Sequence, residues 1–239
     1  SLFSKFLNAK WGTAKAFHLR KSAWELREKS LHSSIRGLVS PRVTLLPHQL
    51  GIATEVSRRE FPRVLLSDEV GLGKTIEAGL IFSRLRALSR ADRVLIVVPH
   101  GLEHQWLCEM YRRFFEMFTV IDDERSEAEE MSQGQSAFAM NQRIICSLSF
   151  LEENAQALQD AVEQEWDLLI IDEAHRLKWD ESDPSISWEV IRLLSIQARG
   201  LCLLTATPER QGIKTLFGLL HLVDPDRFHD FATFEKAND

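Results

Sequence analysis

From Leu45 onward the chain alternates short, dense apolar runs with longer stretches in which apolar residues recur at helical spacing. Six runs read as strands, at residues 63–67, 94–98, 119–121, 143–147, 167–171 and 201–205. They are rich in Val, Ile and Leu and show little polar alternation, as strands covered on both faces do. Helical periodicity fills the gaps at residues 47–59, with Pro47 in the first turn, and at 74–88, 103–115, 152–163, 188–197 and 213–222. This alternation predicts an α/β fold: a doubly wound, mostly parallel sheet flanked by helices, with its ligand loops at the carboxyl ends of the strands. Residues 122–135, which include Asp122, Asp123, Glu124, Glu127, Glu129 and Glu130, read as a surface insertion.

Composition narrows the picture. With 239 residues, 44% hydrophobic and 27% charged, the chain has room for one domain plus appendages, at roughly 100–200 residues per domain. No apolar run approaches the roughly 18–20 residues of a membrane helix, and the segment 2–7 is too short for a signal-peptide core. No membrane partner is expected, and the cytoplasm is the expected location. Cys108, Cys146 and Cys202 stand singly among apolar neighbours without a C-x-x-C pair, so buried free thiols are expected rather than disulfides or a metal site.

The net charge of −6 is unevenly spread. Residues 1–42 hold nine basic and two acidic side chains, leaving about −13 on the remainder. A basic helical arm over 1–42 is therefore set apart from a globular unit over 43–239. Trp11, Phe17 and Trp24 with the intervening leucines suggest an amphipathic helix at about 14–29. Such a helix either packs on its own protein with its charges solvated or contacts nucleic acid. The chain starts at Ser1 and ends without a closing element after Phe234-Glu-Lys, and so reads as a piece of something longer.

Three polar strings follow three of the predicted strands. After residues 64–66 come Asp68, Glu69, Val70, Gly71, Leu72, Gly73, Lys74 and Thr75, opening a helix near Lys74. Gly71 and Gly73 let the backbone curl so that N–H groups face phosphate oxygens, and the helix N-terminus adds partial positive charge. Lys74 would reach the β and γ phosphates of ATP, and the Thr75 hydroxyl would ligate Mg²⁺. The plain alternative is a Gly-rich turn before a helix. Asp172 and Glu173 follow the run 168–171; Asp172 would hold the Mg²⁺ and Glu173 would polarise the attacking water. Alone, that pair is equally a solvated turn. Thr205 and Thr207 follow the last run and put a third polar loop on the same edge.

Taken in order, these strings resemble the motifs of superfamily-two helicases. Asp68-Glu-Val-Gly-Leu-Gly-Lys-Thr75 is similar to motif I, with the Asp at its first position that is common in the Swi/Snf branch. Asp172-Glu-Ala-His-Arg-Leu-Lys178 is similar to motif II of that branch, and Thr205-Ala-Thr-Pro208 to motif III. Pro99-His-Gly-Leu-Glu-His-Gln-Trp106 resembles its motif Ia, and Leu46-Pro-His-Gln49 occupies the place of the Q motif. Further stretches, including Ile145-Cys-Ser-Leu148 and Asp224-Pro-Asp-Arg-Phe-His-Asp-Phe231, resemble the bacterial RapA/HepA family of Swi/Snf-type ATPases, which associate with RNA polymerase.

The resemblance implies a RecA-like first ATPase lobe that acts with a second lobe to move on double-stranded DNA. ATP and Mg²⁺ are the implied cofactors, and RNA polymerase the implied protein partner. No small-molecule substrate beyond ATP is implied. Gln49 would read the adenine edge, unless it is only an early-helix polar residue. His175 would couple the nucleotide site to Thr205 and Thr207. Pro99, His100, Gln105, Ser147 and Ser149 would lie along the nucleic-acid track, with Trp106 either in the core or in contact with the track. Two other readings stay open. One is a different superfamily-two motor, such as an RNA helicase or a phage-defence or restriction translocase; the other is a non-catalytic interaction module. Nothing after Pro208 matches the second-lobe motifs, among them the arginine finger, which is worth roughly a thousandfold or more in rate. Residues 1–239 alone are therefore expected to bind ATP weakly and hydrolyse it poorly; robust DNA-stimulated turnover by this segment would contradict the expectation.

Overall fold

A computed structural model of the chain describes residues 13–31, 33, 36–38, 40–67, 73–206 and 212–238. The chain divides into two compact units, Ser1–Arg36 and Gly37–Asp239. The first contains helix α1 (Ala14–Leu31). Its apolar residues do not form one stripe: Phe17 and Trp24 sit seven residues apart on one side, and Leu19 and Leu26 on nearly the opposite side, all four exposed. The expected one-sided helix is thus a helix with two apolar stripes and basic residues between them.

The second unit is built on strands β1 (Arg63–Ser67), β2 (Val94–Val98), β3 (Thr119–Val120), β4 (Arg143–Ser147), β5 (Trp166–Ile171) and β6 (Ala198–Thr205). They form one sheet in the order β1-β6-β5-β2-β4-β3, and every paired neighbour is parallel. Alternate residues of each strand enter opposite cores. Leu95, Val97, Ile144, Cys146, Leu169, Ile171, Leu201 and Leu203 face one; Val64, Leu66, Ile96, Val98, Ile145, Ile170, Cys202 and Leu204 face the other. Both faces are therefore dry, which is why the strands read as unbroken apolar runs. Helices α2 (Pro47–Arg58), α3 (Lys74–Ala87) and α4 (Glu103–Phe114) contribute to the second core. Among the described residues no helix is long and apolar enough to cross a membrane.

Three elements differ from the periodicity reading. Residues 122–135 form helix α5 (Asp123–Gln133), tied down by Arg125 to Glu129 at 2.8 Å and by Asn141 to Glu129 at 2.9 Å. A short helix α6 (Ala137–Met140) follows. The single helix expected over 152–163 is two, α7 (Leu148–Glu153) and α8 (Ala155–Val162). Asn154 leaves the helical region (φ −114°, ψ 95°), and its Oδ1 accepts the Ala157 N–H at 3.0 Å, so the new N-cap breaks the run. Helices α9 (Ile186–Gln197), α10 (Ile213–Val223) and α11 (Phe231–Asn238) complete the unit.

Arg63, at the start of β1, locks the far edge of the sheet. Its guanidinium donates to the carbonyls of Ser195, Ala198, Leu222 and Val223 at 3.1, 3.1, 2.8 and 3.1 Å. These are the acceptors that the C-terminal ends of α9 and α10 leave unpaired, and the cation also suits the negative ends of both helices. Burial lowers the Arg63 pKa, a shift that Asp224 opposes. Of the three thiols, Cys146 and Cys202 are buried as expected, but Cys108 is exposed. Burial pushes the Cys202 thiol up to about 12 and the Cys146 thiol up as well, so neither supplies a thiolate.

Close approach of α3 to α4 is set by Gly79, where an added Cβ would fall 2.2 Å from the Phe114 ring. Gly79→Ala would gain about 1 kcal/mol of helix propensity but would overpack a full core at a cost of about 1–3 kcal/mol. Net destabilisation of up to about 2 kcal/mol is expected in urea unfolding; a stabilised variant would show that the ring yields freely.

Candidate functional site

Parallel register places five strand ends along one edge. Ser67 pairs with Thr205, Val98 with Ser147, and Ile171 lies between Val97 and Leu203. The loops after β1, β2, β4, β5 and β6 therefore emerge together, at the carboxyl edge where open α/β sheets bind ligands. Among the described residues, every predicted site residue except Gln49 ends one of these strands or lies in the loop or first turn that follows it.

Helix α3 starts at Lys74, with Gly73 as its N-cap at φ +92°. A Cβ on Gly73 would meet Gln49 Nε2 at 2.9 Å, so this position needs Gly both for its backbone and for the room. Gln49 itself is 1% exposed. Its carboxamide lies against Gly73 at the start of α3. Lys74 and Thr75 are half-buried at the helix start. Asp68, Glu69, Val70, Gly71 and Leu72 lie outside the described residues, as does Thr207.

Asp172 is held at three points. Its N–H continues the sheet ladder to Val97 O at 2.9 Å. Its Oδ1 accepts the Glu173 N–H at 2.8 Å, and its Oδ2 accepts the Trp106 indole N–H at 2.8 Å. Glu173 follows in the left-handed region (φ 48°, ψ 43°), and a 3₁₀ turn, Ala174–Arg176, comes next. A non-Gly residue held there costs on the order of 1–2 kcal/mol, and such strain gathers at functional positions. His175 Nδ1 lies 3.0 Å from Glu173 Oε2, an ion-pair contact at an angle that makes no hydrogen bond. Thr205 is fully buried at the same edge, and its Oγ1 has no hydrogen-bond partner. An orphaned buried hydroxyl is costly unless something completes it.

Trp106 is 2% exposed. It is therefore neither plain core nor a nucleic-acid contact, since its ring packs inside while its one donor serves Asp172. The motif Ia resemblance named Trp106; its partner did not show in the sequence.

The residues expected on the nucleic-acid track divide. Pro99, His100 and Ser149 line a cleft of about 180 Å³ together with Asp172, Glu173 and Arg176. His100 and Gln105 are exposed, and Pro99 is buried. Ser147 is 5% exposed, and its Oγ caps α7 by accepting the Phe150 N–H at 3.1 Å. That hydroxyl is occupied within the fold. A larger cleft of about 600 Å³ beside it is lined by His100 and His104 but also by Glu103, Asp122, Asp123 and Glu153, so carboxylates outnumber cationic groups there.

Known proteins agree with this arrangement. The chain is 50% identical over 218 residues to the RNA polymerase-associated protein RapA of Erwinia tasmaniensis, covering 91% of this chain and 22% of that protein. It is 48% identical over 223 residues to the protein of the same name from Vibrio cholerae, covering 93% of this chain and 23% of that protein. The chain thus spans about a fifth of the length of the curated relatives it matches. Among solved structures, the Sulfolobus solfataricus SWI2/SNF2 ATPase core in complex with dsDNA superposes with a TM-score of 0.68 at 19% identity, covering 82% of this chain and 39% of that one. The Pyrococcus furiosus Hef helicase domain gives 0.57 at 22% identity, covering 77% and 37%. At such identities the likeness speaks for the fold alone. The SNF2-related domain matches residues 48–239, and the chain belongs to that family.

Proposed function

We propose that this chain is the first ATPase lobe of an ATP-driven translocase on double-stranded DNA, of the RapA kind, working on or beside RNA polymerase in the cytoplasm. The observation that carries the reading is the convergence at one sheet edge of the Lys74 helix start with Asp172 and Glu173, each fixed by the backbone. Similarity to RapA proteins supports the polymerase partner, and the DNA-bound structural neighbour supports the double-stranded track.

The donor set fits Mg²⁺. Thr75 and Asp172 offer hard oxygen ligands of the kind this ion prefers, and the unpartnered Thr205 Oγ1 marks the edge as a place with polar capacity to spare. Thr75 and Asp172 would hold the ion, which when bound supplies charge neutralisation on the β and γ phosphates. Lys74 and the N–H groups at the α3 N-terminus bind the same phosphates. By sequence, Asp68, Glu69, Val70, Gly71 and Leu72 would complete that cradle, and Gln49 would read the adenine edge beside Gly73. Glu173 would accept a hydrogen bond from the attacking water, orient it, and take its proton as the P–O bond forms. His175, Thr205 and Thr207 relay the state of the site toward the next loop. His100, Gln105 and Ser149, with the backbone at Pro99 and Ser147, face the nucleic acid. In motors of this kind the arginine finger that meets charge developing on the transferring phosphoryl group comes from the second lobe, so turnover is expected to need one.

In the intact protein, Glu173→Gln removes the water-orienting carboxylate but keeps its shape. Hydrolysis is expected to fall by about 10²–10⁴-fold, with the affinity for Mg²⁺-ATP within a few-fold of the unsubstituted protein. The ATPase of the unsubstituted protein should respond to double-stranded DNA more than to single-stranded DNA or RNA. Wild-type turnover in the variant, or stimulation by RNA alone, would contradict the reading.

A further inference from the structure

We infer that Trp106 is a positioning residue for the metal-holding carboxylate: its indole N–H fixes Asp172 so that both carboxylate oxygens are oriented before any cation arrives. This rests on the nucleotide-site reading above. The bond is 2.8 Å from Nε1 to Oδ2, and it crosses from helix α4 to the end of strand β5. Sixty-six positions separate the two residues, so nothing local requires the contact.

Two features make the indole suited to the task. Its only polar atom is a donor, and it is carried on a rigid ring packed in the same core as Val98, Met110 and Ile170. Packing therefore sets where the hydrogen points, and the carboxylate follows. The donor is also neutral. It orients the Asp172 charge without cancelling it, as a paired Arg or Lys would. With Oδ1 taken by the Glu173 N–H, the carboxylate has a donor at each oxygen and no freedom to rotate, while each oxygen keeps lone-pair capacity for a further partner. Outer partners of this kind set ligand orientation, and their loss typically costs 10–100-fold in metal affinity.

The test is binding of a fluorescent ATP analogue to the intact protein, titrated with Mg²⁺. Trp106→Phe keeps the ring and removes the N–H. It is expected to raise the Mg²⁺ concentration at half-saturation about tenfold or more, while binding of the metal-free nucleotide in EDTA stays within about twofold. In an Asp172→Ala background, Trp106→Phe should change the Mg²⁺ dependence no further. A merely structural Trp106 would lower the melting temperature and weaken both kinds of binding in parallel. Unaltered Mg²⁺ dependence in W106F overturns this inference alone. Lack of any Mg²⁺-dependent nucleotide binding in the unsubstituted protein overturns the nucleotide-site reading and this inference with it. Should W106F fail to fold, the unsubstituted protein labelled with ¹⁵N at the tryptophan indole decides the matter. D172A must then move one indole N–H resonance, and a spectrum in which none moves rules the bond out.

Discussion

A sheet in which every paired strand runs the same way delivers all of its carboxyl ends to one edge, and the chemistry of this chain follows from that geometry. The register that sets Ser67 opposite Thr205 and Val98 opposite Ser147 also sets Ile171, just before Asp172, between Val97 and Leu203. Parallel strands need crossover helices, and crossover helices cover both faces. The same constraint that gathers the loops therefore demands two dry cores, and the strands answer with Val, Ile, Leu and buried Cys. At the opposite edge Arg63 gathers four helix-end carbonyls.

On the functional edge the pattern inverts, and local rules are broken. Glu173 occupies a left-handed backbone that glycine would adopt without strain, and Thr205 keeps a buried hydroxyl without a partner. Each lowers the stability of the lobe as it stands. Both lie next to Asp172, whose own position is overdetermined by a ladder bond, a backbone N–H and an indole N–H. Rigid support beside local strain is what a site held ready for charge requires.

Much of this was legible in the residues. The bounds of β1, β2 and β4 came directly from apolar runs, because the polar residues at each end mark where the strand enters and leaves the core. The site residues could be named because glycine, lysine and paired acids at strand ends have few other uses together. What was not legible depended on tertiary placement. Trp106 and Asp172 lie on different elements, and no periodicity links them. Asn154 splits one helical stretch in two because its side chain caps the second piece, a choice that composition alone leaves open. The acidic stretch 122–135 read only as a surface insertion because it has no apolar stripe; it stands as α5, with Arg125 and Asn141 tied to Glu129. Cys108 was expected inside, but the face of α4 on which it sits turns outward while Trp106 and Met110 turn in.

The central claim is that the carboxyl edge of this sheet is half of an ATP site, with Asp172 preset to hold its metal. A crystal structure of the intact protein with Mg²⁺ and a non-hydrolysable ATP analogue tests it most directly. The account predicts the triphosphate at the N-terminus of α3, Mg²⁺ bridged between Thr75 and Asp172, and Asp172 still on the Trp106 indole. Nucleotide bound elsewhere, or bound here with neither Thr75 nor Asp172 near the metal, would contradict it.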